Sequence, residues 1–395
     1  MNPTLFYPFL AFAIAILVMP LCIRAGHRFG MFDLPDEERK IHKVKIPYTG
    51  GLAFIISIGI TATVMFVFSR WELQNAGHAS LVPMFLYIVE ASLIIFVLGF
   101  IDDIRDLTFQ RKFLFQFIAA FFIILGAIRS DVFPQVFDVD TSGVLINSAG
   151  TLVSVFWIVG TTNAINMIDG MDGLAAGTSI VSAVAMGSLC LLWGNGILAV
   201  VFFIIAAALL GFLLFNFNPA RVFMGDTGSM FLGFILGVCG WLLADSAPQR
   251  STVYFVPIIV LGLPISDTLL AFFRRLIKRQ NPFSADRFHI HHMLKSRYHL
   301  TVRRTVGTLY LLSMIYAGAG IVVALVPEIY GWIFIGALLL AQAGLFHLLG
   351  YTELLFQEAG SVILAKPVRN TNGVHAHHAN GNGAAKKETT TKKED

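Results

Sequence analysis

Four polar clusters interrupt an otherwise apolar chain, and their residue types are those that bind metal ions and phosphates. Three clusters contain paired or regularly spaced carboxylates, and the fourth is a group of histidines in a basic segment. Carboxylates are ligands for Mg²⁺, whereas cationic groups donate hydrogen bonds to phosphate oxygens. The clusters are Asp102-Asp103, Asn163-x-x-Asn166-x-x-Asp169-x-x-Asp172, Gly225-Asp226 and His289-x-His291-His292.

The aspartate pair Asp102-Asp103 ends an apolar run and is followed by Asp106. Residues 102 and 106 share a helix face. Two adjacent carboxylates at a membrane boundary could hold Mg²⁺, or position a phosphate through that ion. The Asp-Asp-x-x-Asp spacing also occurs in prenyl-diphosphate enzymes, and a solvated helix end beside Arg105 would explain it without any function.

The segment from Asn163 to Asp172 carries a polar side chain at every third position. Steps of three drift slowly around a helix, so neighbouring members stay close together. Gly170 and Gly173 permit tight turns and close approach of a ligand to the backbone. A polar seam between helices would explain asparagines here. Two Asn and two Asp within so short a segment exceed what a seam needs, which favours a binding function.

The segment Phe-Met-Gly-Asp-Thr-Gly, from Phe223 to Gly228, follows an apolar run. Asp226 could bind a metal ion or a phosphate there, and Phe223 could stack on a base. The alternative is a turn that caps the next helix, with Asp226 or Thr227 as its N-cap.

The histidines 289, 291 and 292 lie in a segment rich in Lys and Arg. A zinc site would need more Cys, His or carboxylate ligands, so we favour phosphate binding. A basic segment attracted to anionic lipid would explain the Lys and Arg but not the clustered His. In another basic segment, before Pro47, Lys43 or His42 could reach a diphosphate.

The composition indicates an all-α polytopic integral membrane protein. Only 13% of the 395 residues are charged, whereas a soluble domain carries about 25%, and the mean hydropathy is +0.74. The three cysteines lie in apolar segments, which excludes a disulfide framework. We predict one transmembrane domain over residues 1–365 and a disordered polar tail over residues 366–395.

Eleven apolar runs approach the roughly 20 residues that a spanning helix needs. Their approximate limits are Leu5–Ile23, Gly50–Phe68, Val82–Ile101, Phe113–Ile128, Thr151–Ile165, Leu174–Trp193, Ile197–Phe215, Met230–Ala244, Val253–Phe273, Val306–Val326 and Trp332–Gly350.

The distribution of Lys and Arg predicts the orientation of these spans. All basic residues except Arg70, Arg129 and Arg250 fall on one side when the segments between spans are assigned alternately. By the positive-inside rule this side is cytoplasmic, which puts the N-terminus in the periplasm and the C-terminus in the cytoplasm. All four polar clusters then lie at the cytoplasmic face. Their placement at a single face, without an inverted repeat, argues against a transport path.

Together these motifs resemble the polyprenyl-phosphate sugar-1-phosphate transferase family. The family includes WecA-like N-acetylglucosamine-1-phosphate transferases and MraY-like phospho-N-acetylmuramoyl-pentapeptide transferases. The resemblance extends from about Arg39 to about His299. The matching segments are Lys43 with Pro47 and Gly50-Gly51, Asp102-Asp103, Asn163 to Ala175, Phe223 to Gly228, and Asp286 to His292, the last being of the WecA-like type.

The resemblance implies an enzyme of the bacterial inner membrane with its active site on the cytoplasmic face. It would transfer N-acetylhexosamine 1-phosphate, by default N-acetylglucosamine 1-phosphate, from a UDP-sugar to undecaprenyl phosphate and release UMP. This reaction starts the synthesis of a lipid-linked envelope glycan such as O-antigen. The implied cofactor is Mg²⁺, with Mn²⁺ as the alternative. Membrane lipid is a partner, nucleic acid is not, and a homodimer is left open.

The resemblance also implies roles for individual residues. The catalytic residues are Asp102, Asp103 and Asp226, and the metal ligands are Asp226 and Asn166. The substrate-binding residues are Lys43, Asn163, Asn166, Asp169, Asp172, Phe223, Arg287, His289, His291 and His292.

Within this set, Asp169, Asp172 and Phe223 would hold the uridine, and Lys43 would neutralise the diphosphate. Asp102 and Asp103 would orient the lipid phosphate or assist its deprotonation. Arg287 and the histidines would bind the phosphate or sugar of the donor. A covalent mechanism with an Asp nucleophile stays open.

Four other functions are alternatives: a pentapeptide transferase of the same family, an aspartate-rich intramembrane prenyltransferase, a transporter and a lipid-binding scaffold with a dead site. The Phe223–Gly228 and His289–His292 segments argue against the prenyltransferase. The complete set of motifs argues against the scaffold.

Overall fold

A computed structural model describes residues 3–33, 45–75, 81–130, 148–244, 250–281 and 288–351. These residues are almost entirely helical. The helices, in chain order, are α1 (Pro3–Phe29), α2 (Gly50–Asn75), α3 (Leu81–Arg105), α4 (Phe109–Arg129), α5 (Ser148–Ile168), α6 (Leu174–Leu192), α7 (Gly196–Asn216), α8 (Gly225–Leu243), α9 (Val256–Val260), α10 (Gly262–Ile277), α11 (Ile290–Tyr298), α12 (Val302–Leu325) and α13 (Glu328–Leu348). The 3₁₀ turn Ser251–Phe255 precedes α9, and the strands β1 (Phe32–Asp33) and β2 (Ile46–Pro47) form a short antiparallel ladder.

The prediction of an all-α polytopic membrane protein is confirmed. Ten of the described helices are long and apolar enough to cross a bilayer, and the segments Ser251–Val260 and Gly262–Ile277 together give an eleventh candidate. Several helices begin or end beyond the predicted limits. Helix α8 begins at Gly225 rather than at Met230, so Asp226 lies in its first turn. The predicted tail, residues 366–395, lies outside the described residues.

The ninth predicted span is broken rather than straight, with a bend of 80° between α9 and α10. Pro264 has no N–H to donate to the carbonyl of Val260, four residues earlier. The hydroxyl of Ser182 donates to that carbonyl instead, at 3.1 Å. A Cβ on Gly262 would lie 2.5 Å from Cδ1 of Tyr316, so this aromatic ring fills the inside of the bend.

Two contacts tie the bent pair to neighbouring segments. The guanidinium of Arg250, just before the 3₁₀ turn, donates to the carbonyls of Ala324 and Val326, at the end of α12. Within α10, Asp267 contacts His289, which precedes α11. With the bent pair counted as one span, the described residues contain eleven candidate membrane crossings.

Three glycines let α8 approach its neighbours closely, at the end of the bundle where α8 begins. A Cβ on Gly51 of α2 would lie 2.4 Å from the Met224 carbonyl and 2.6 Å from Cα of Gly228. A Cβ on Gly99 of α3 would lie 2.5 Å from Cα of Thr227. Small residues allow such backbone contact between membrane helices. The first turn of α8 is thus clamped between α2 and α3.

We predict that Gly51→Ala destabilises the protein by about 1–3 kcal/mol, because the added methyl group forces α8 away from α2. Gly59→Ala is the matched control, since Gly59 lies on the same helix and a Cβ there meets nothing within 4 Å. Thermal unfolding in detergent measures both variants. Equal melting temperatures for the two would contradict the proposed close contact.

Candidate active site

A lysine and two aspartates form the centre of the candidate site. The ammonium of Lys112, on α4, makes ion pairs with Asp102 of α3 and Asp226 of α8, the latter at 3.4 Å. The side-chain amide of Asn166 donates to Oδ1 of Asp226 at 2.6 Å and to Oγ of Ser229 at 2.8 Å. Four helices thus bring two carboxylates, one cation and one amide together, including the two predicted metal ligands.

Asp103 caps the N-terminus of α8. Its Oδ1 accepts a hydrogen bond from the backbone N–H of Asp226 at 2.7 Å, and its Oδ2 accepts one from the N–H of Thr227 at 2.9 Å and another from the Thr227 hydroxyl. The N-cap residue of α8, Met224, makes no side-chain cap. This geometry favours a positioning role for Asp103 over the predicted contact with the lipid phosphate.

Gly225 provides the turn that precedes Asp226. Its φ is +70°, and a Cβ there would lie 2.8 Å from Oδ2 of Asp103 and 2.7 Å from the Tyr48 carbonyl. A side chain at this position would be strained by its φ and would also displace the cap. The Gly-Asp pair therefore sets where the Asp226 carboxylate lies.

The turn after Asp169 is tied to the segment between α7 and α8. Oδ2 of Asp172 accepts hydrogen bonds from the Asn218 amide at 2.8 Å and the Ala220 N–H at 3.0 Å. Oδ1 of Asn216 accepts one from the Gly173 N–H at 2.9 Å, at the start of α6. Asp172 thus makes contacts within the protein, and this geometry favours a structural role over the predicted contact with uridine.

Asp169 lies between these two groups and is partly exposed. Burial, together with the negative charges of Asp226, Asp103 and Asp172, raises the pKa of the Asp169 carboxyl to about 7. Among the described residues no hydrogen bond to this carboxyl is found. This setting is compatible with the predicted role of Asp169 in binding the uridine, which stays a prediction.

Phe223 lies beside the segment that leads into α2. Its N–H donates to the Pro47 carbonyl at 2.8 Å, and its carbonyl accepts from the Gly50 N–H at 2.9 Å. The side chain is partly exposed. These contacts bring the segment after Lys43 against the start of α8, whereas Lys43 itself and Arg287 lie outside the described residues.

The histidines form a row against the glycine turn after α5. The rings of His289 and His291 are parallel, with centroids 5.7 Å apart, and His292 lies 4.2 Å from His291. A Cβ on Gly170 would lie 2.7 Å from Nε2 of His291. Burial, and to a smaller extent neighbouring His292, lower the pKa of His291 to about 3. His291 is therefore neutral at pH 7 and offers a hydrogen bond rather than a positive charge.

Asn163 points away from this group. Its amide donates to Oε1 of Gln116 at 2.7 Å and to the Val159 carbonyl at 2.8 Å, which links α5 to α4. The contact favours the helix-seam interpretation of Asn163 over substrate binding.

Sequence reasoning missed three residues that organise the site: Lys112, Asn216 and Asp267. Lys112 and Gln116 are four residues apart in an apolar helix, which is a detectable polar stripe. Asp267 is an acidic residue inside a predicted span, a feature that commonly marks a function. Asn216 ends an apolar run and gave no distinctive signal.

Cation binding fits the chemistry of the central group. The Lys112 ammonium already lies between two carboxylates, and their oxygens, with the Asn166 amide, are the hard donors that Mg²⁺ takes. Among the described residues no group of three acidic, His or Cys side chains converges on one point. Mg²⁺ commonly uses only one or two carboxylates and completes its shell with substrate oxygens and water, so the group present is sufficient.

An apolar cavity lies elsewhere, between α5, α8 and the start of α9. Its volume is about 350 Å³, and Trp157, Trp241, Phe255 and Ile258 are among its lining residues. Among the described residues, no Asp, Glu, Lys, Arg or His lines it. The cavity suits hydrocarbon and not a nucleotide, so the polar group described above is the candidate site for charged substrates.

We predict that Asp103→Ala lowers the stability of the protein by about 1–2 kcal/mol, because α8 loses its cap. Turnover in the transferase reaction that the resemblance implies should also fall, because Asp226 is displaced. Asp106→Asn is the control, since Asp106 is exposed and Asn tolerates its φ of +44°. Thermal unfolding and turnover are measured together. Lost turnover with an unchanged melting temperature would instead indicate that Asp103 contacts the substrate directly.

Comparisons with known proteins identify the family. The model of glycosyl transferase family 4 matches residues 85–244. The chain is 35% identical to a probable undecaprenyl-phosphate N-acetylglucosaminyl 1-phosphate transferase of Bacillus subtilis, covering 78% of this chain and 81% of that protein. It is 29% identical to the undecaprenyl-phosphate alpha-N-acetylglucosaminyl 1-phosphate transferase of Escherichia coli, covering 83% and 85%.

A phospho-N-acetylmuramoyl-pentapeptide-transferase of Staphylococcus carnosus is 34% identical, covering 59% of this chain and 74% of that protein. These matches confirm the resemblance that the motifs indicated, and with the helices described above they confirm a multi-pass membrane enzyme. The chain belongs to glycosyl transferase family 4, as a member of the polyprenyl-phosphate sugar-1-phosphate transferases.

Proposed function

We propose that this protein transfers N-acetylglucosamine 1-phosphate from UDP-N-acetylglucosamine to undecaprenyl phosphate and releases UMP. The observation that carries the proposal is the convergence of Asp102, Lys112, Asn166 and Asp226 at one end of a membrane bundle. The names of the Bacillus subtilis and Escherichia coli relatives support the acceptor and the sugar.

The chemical difficulty of this reaction is to bring two anions together. The second pKa of a phosphate monoester is about 6, so the lipid phosphate is largely a dianion at pH 7. It therefore needs no strong base to deprotonate it. Phosphoryl transfer is catalysed mainly by positioning and by charge stabilisation. Lys112 supplies a positive charge between the two carboxylates, where it can offset the charge of an incoming phosphate.

Mg²⁺, or Mn²⁺ in its place, would be held by Asp226 with Asn166 as second ligand, and Asp102 lies close enough to take part. When bound, the ion stabilises negative charge on the diphosphate and on the departing UMP. Asn166 orients the Asp226 carboxylate, and Asp103 fixes the helix turn that carries it.

The donor would lie along the turn between α5 and α6. Asp169 would bind the uracil or ribose, and Phe223 would stack on the uracil. The histidine row covers Gly170 on the side towards α11. By the family resemblance, Lys43 would neutralise the diphosphate of the donor, and Arg287 would bind its phosphate or sugar.

Direct transfer fits this arrangement better than a covalent Asp intermediate. Oδ1 of Asp226 accepts a bond from Asn166, Oδ2 of Asp226 pairs with Lys112, and Asp102 is paired with Lys112 as well. Both candidate nucleophiles are thus held by strong partners, whereas the lipid phosphate is already a charged nucleophile.

The site end of the bundle would face the cytoplasm of the bacterial inner membrane. The positive-inside bias supports this orientation. Helix α1 begins at the opposite end, since its last turns contact Pro47 and Thr49 beside the site. The N-terminus would then be periplasmic, and the product would enter an envelope glycan pathway.

The test is UMP release by purified protein in detergent with undecaprenyl phosphate, Mg²⁺ and UDP-N-acetylglucosamine. We expect release that requires the lipid and the metal ion. UDP-N-acetylmuramoyl-pentapeptide is offered in parallel, because the Staphylococcus carnosus relative is named for that donor. No UMP release with either donor, from folded protein, would overturn the enzyme assignment. Release with the pentapeptide donor alone would identify N-acetylmuramoyl-pentapeptide, and not N-acetylglucosamine, as the transferred group.

We predict that Asp226→Asn lowers turnover by about 10²–10³-fold, as is typical when one preorganised charge-stabilising group is lost. Asn keeps the size of the side chain, so the melting temperature should change little. Asp106→Asn removes an equal charge outside the site and should retain turnover. Full activity in folded Asp226→Asn would remove Asp226 from the metal site.

A further inference from the structure

Asp267 is a buried carboxylate that the proposed reaction does not yet use. It lies in α10, six residues after Leu261, which separates α9 from α10, and it is 1% exposed. Burying an unpaired carboxylate in a membrane protein is costly, so its partners indicate why it is there. Among the described residues its hydrogen-bond partners are His289 and Ile290, at the start of α11.

The first partner is the backbone of α11. Oδ1 of Asp267 accepts a hydrogen bond from the Ile290 N–H at 2.7 Å. Ile290 is the first residue of α11, and its N-cap residue, His289, makes no side-chain cap. Asp267 therefore provides from α10 the cap that α11 does not provide for itself.

The second partner is the ring of His289. Its Nδ1 lies 2.8 Å from Oδ2 of Asp267. A carboxylate can only accept a hydrogen bond, so Nδ1 of His289 carries a proton. Nε2 then holds a lone pair in the neutral ring and a second proton in the charged ring. A hydrogen bond of this kind sets both the tautomer and the orientation of an imidazole.

The effect of Asp267 extends to the donor turn through the histidine row, His289, His291 and His292. The ring of His289 is parallel to that of His291, and His291 lies against Gly170, next to Asp169. Moving His289 would therefore move the row relative to the turn that we assign to the uridine.

The segment before the row is fixed separately. The hydroxyl of Tyr351 donates to the Phe288 carbonyl at 2.8 Å, and the guanidinium of Arg274 lies 5.4 Å from the Phe288 ring and 5.5 Å from the Tyr351 ring. These contacts hold the backbone near the row without setting the orientation of the His289 ring. Asp267 holds the backbone through Oδ1 and the His289 ring through Oδ2.

We propose that Asp267 is a positioning residue for the sugar-nucleotide donor, which acts through His289 by fixing its ring and the start of α11 against the Asp169 turn. This inference rests on the proposed function.

The test is a double-mutant cycle on Asp267→Asn and His289→Ala, with separate titrations of UDP-N-acetylglucosamine and undecaprenyl phosphate. Asn keeps an acceptor for the Ile290 N–H but presents an N–H to Nδ1 of His289. We expect Asp267→Asn to raise the donor KM by about 10-fold or more, the usual size for a lost hydrogen bond to a charged group. The lipid KM should change less than about 2-fold, because the row contacts the donor turn.

In the His289→Ala background, Asp267→Asn should change the donor kcat/KM by less than about 3-fold, since its partner is already gone. Thr268→Val is the matched control: it is the next residue on α10, it has nearly the same shape, and its hydroxyl has no hydrogen-bond partner among the described residues. It should behave as the wild type in both titrations. Multiplicative effects of the two changes, or equal rises in both KM values, would overturn the proposal.

Two outcomes need separate readouts. If the wild type releases no UMP, the proposed function fails rather than the role of Asp267. If Asp267→Asn does not fold, ¹⁵N NMR of histidine-labelled wild type decides, with His289 assigned by His289→Ala. A proton on Nδ1 of His289 supports the pairing, and a neutral ring with its proton on Nε2 overturns it.

Discussion

The site depends on three helix N-termini that are capped by side chains from other helices. The first N–H groups of a helix have no partner within it, and those that are buried need an acceptor from elsewhere in the protein. Helices α6, α8 and α11 begin at one end of the bundle, and the N-cap residues of all three make no side-chain cap. The caps come instead from Asn216 of α7, Asp103 of α3 and Asp267 of α10.

This arrangement connects the stability of the fold to the geometry of the reaction. Each cap fixes a segment that carries a group we assign to the substrate: Asp169 precedes α6, Asp226 lies in the first turn of α8, and His289 precedes α11. In this assignment Asp103 and Asp267 are caps, and Asp102, Asp226 and Asp169 are the carboxylates proposed for the metal ion and the substrate. Helix N-termini carry partial positive charge, which favours anionic ligands nearby. Close packing at Gly51 and Gly99 keeps the capped turn of α8 in place.

Much of this could be predicted from the sequence, because hydropathy and short motifs are local properties. The number of spans and the motifs that carry Asp102, Asn166 and Asp226 follow from patterns within single segments, and these motifs together indicated the family and a common site at one membrane face. The length of an apolar run does not reveal polar residues in the first turn of a helix. For this reason the predicted start of α8, at Met230, left Asp226 outside the helix.

Contacts between segments distant in the chain could not be predicted. Whether Asp103 caps α8 or binds a phosphate depends on the crossing of α3 and α8, and the setting of Asn163 depends on the register of α4. Asp267 contacts His289 from α10, beyond an 80° bend within a segment that a hydropathy plot reads as one continuous span. Aspartates in a motif look alike in sequence, and only their partners separate a cap from a ligand.

The central claim is that a sugar phosphate, and not a sugar alone, moves to the lipid at this site. The most direct measurement uses UDP-N-acetylglucosamine labelled with ³²P at the β-phosphorus, which is the atom that bears the sugar. The account predicts that the label enters the undecaprenyl product while unlabelled UMP appears in equal amount. Label that stays in water-soluble UDP while the sugar reaches the lipid would contradict it.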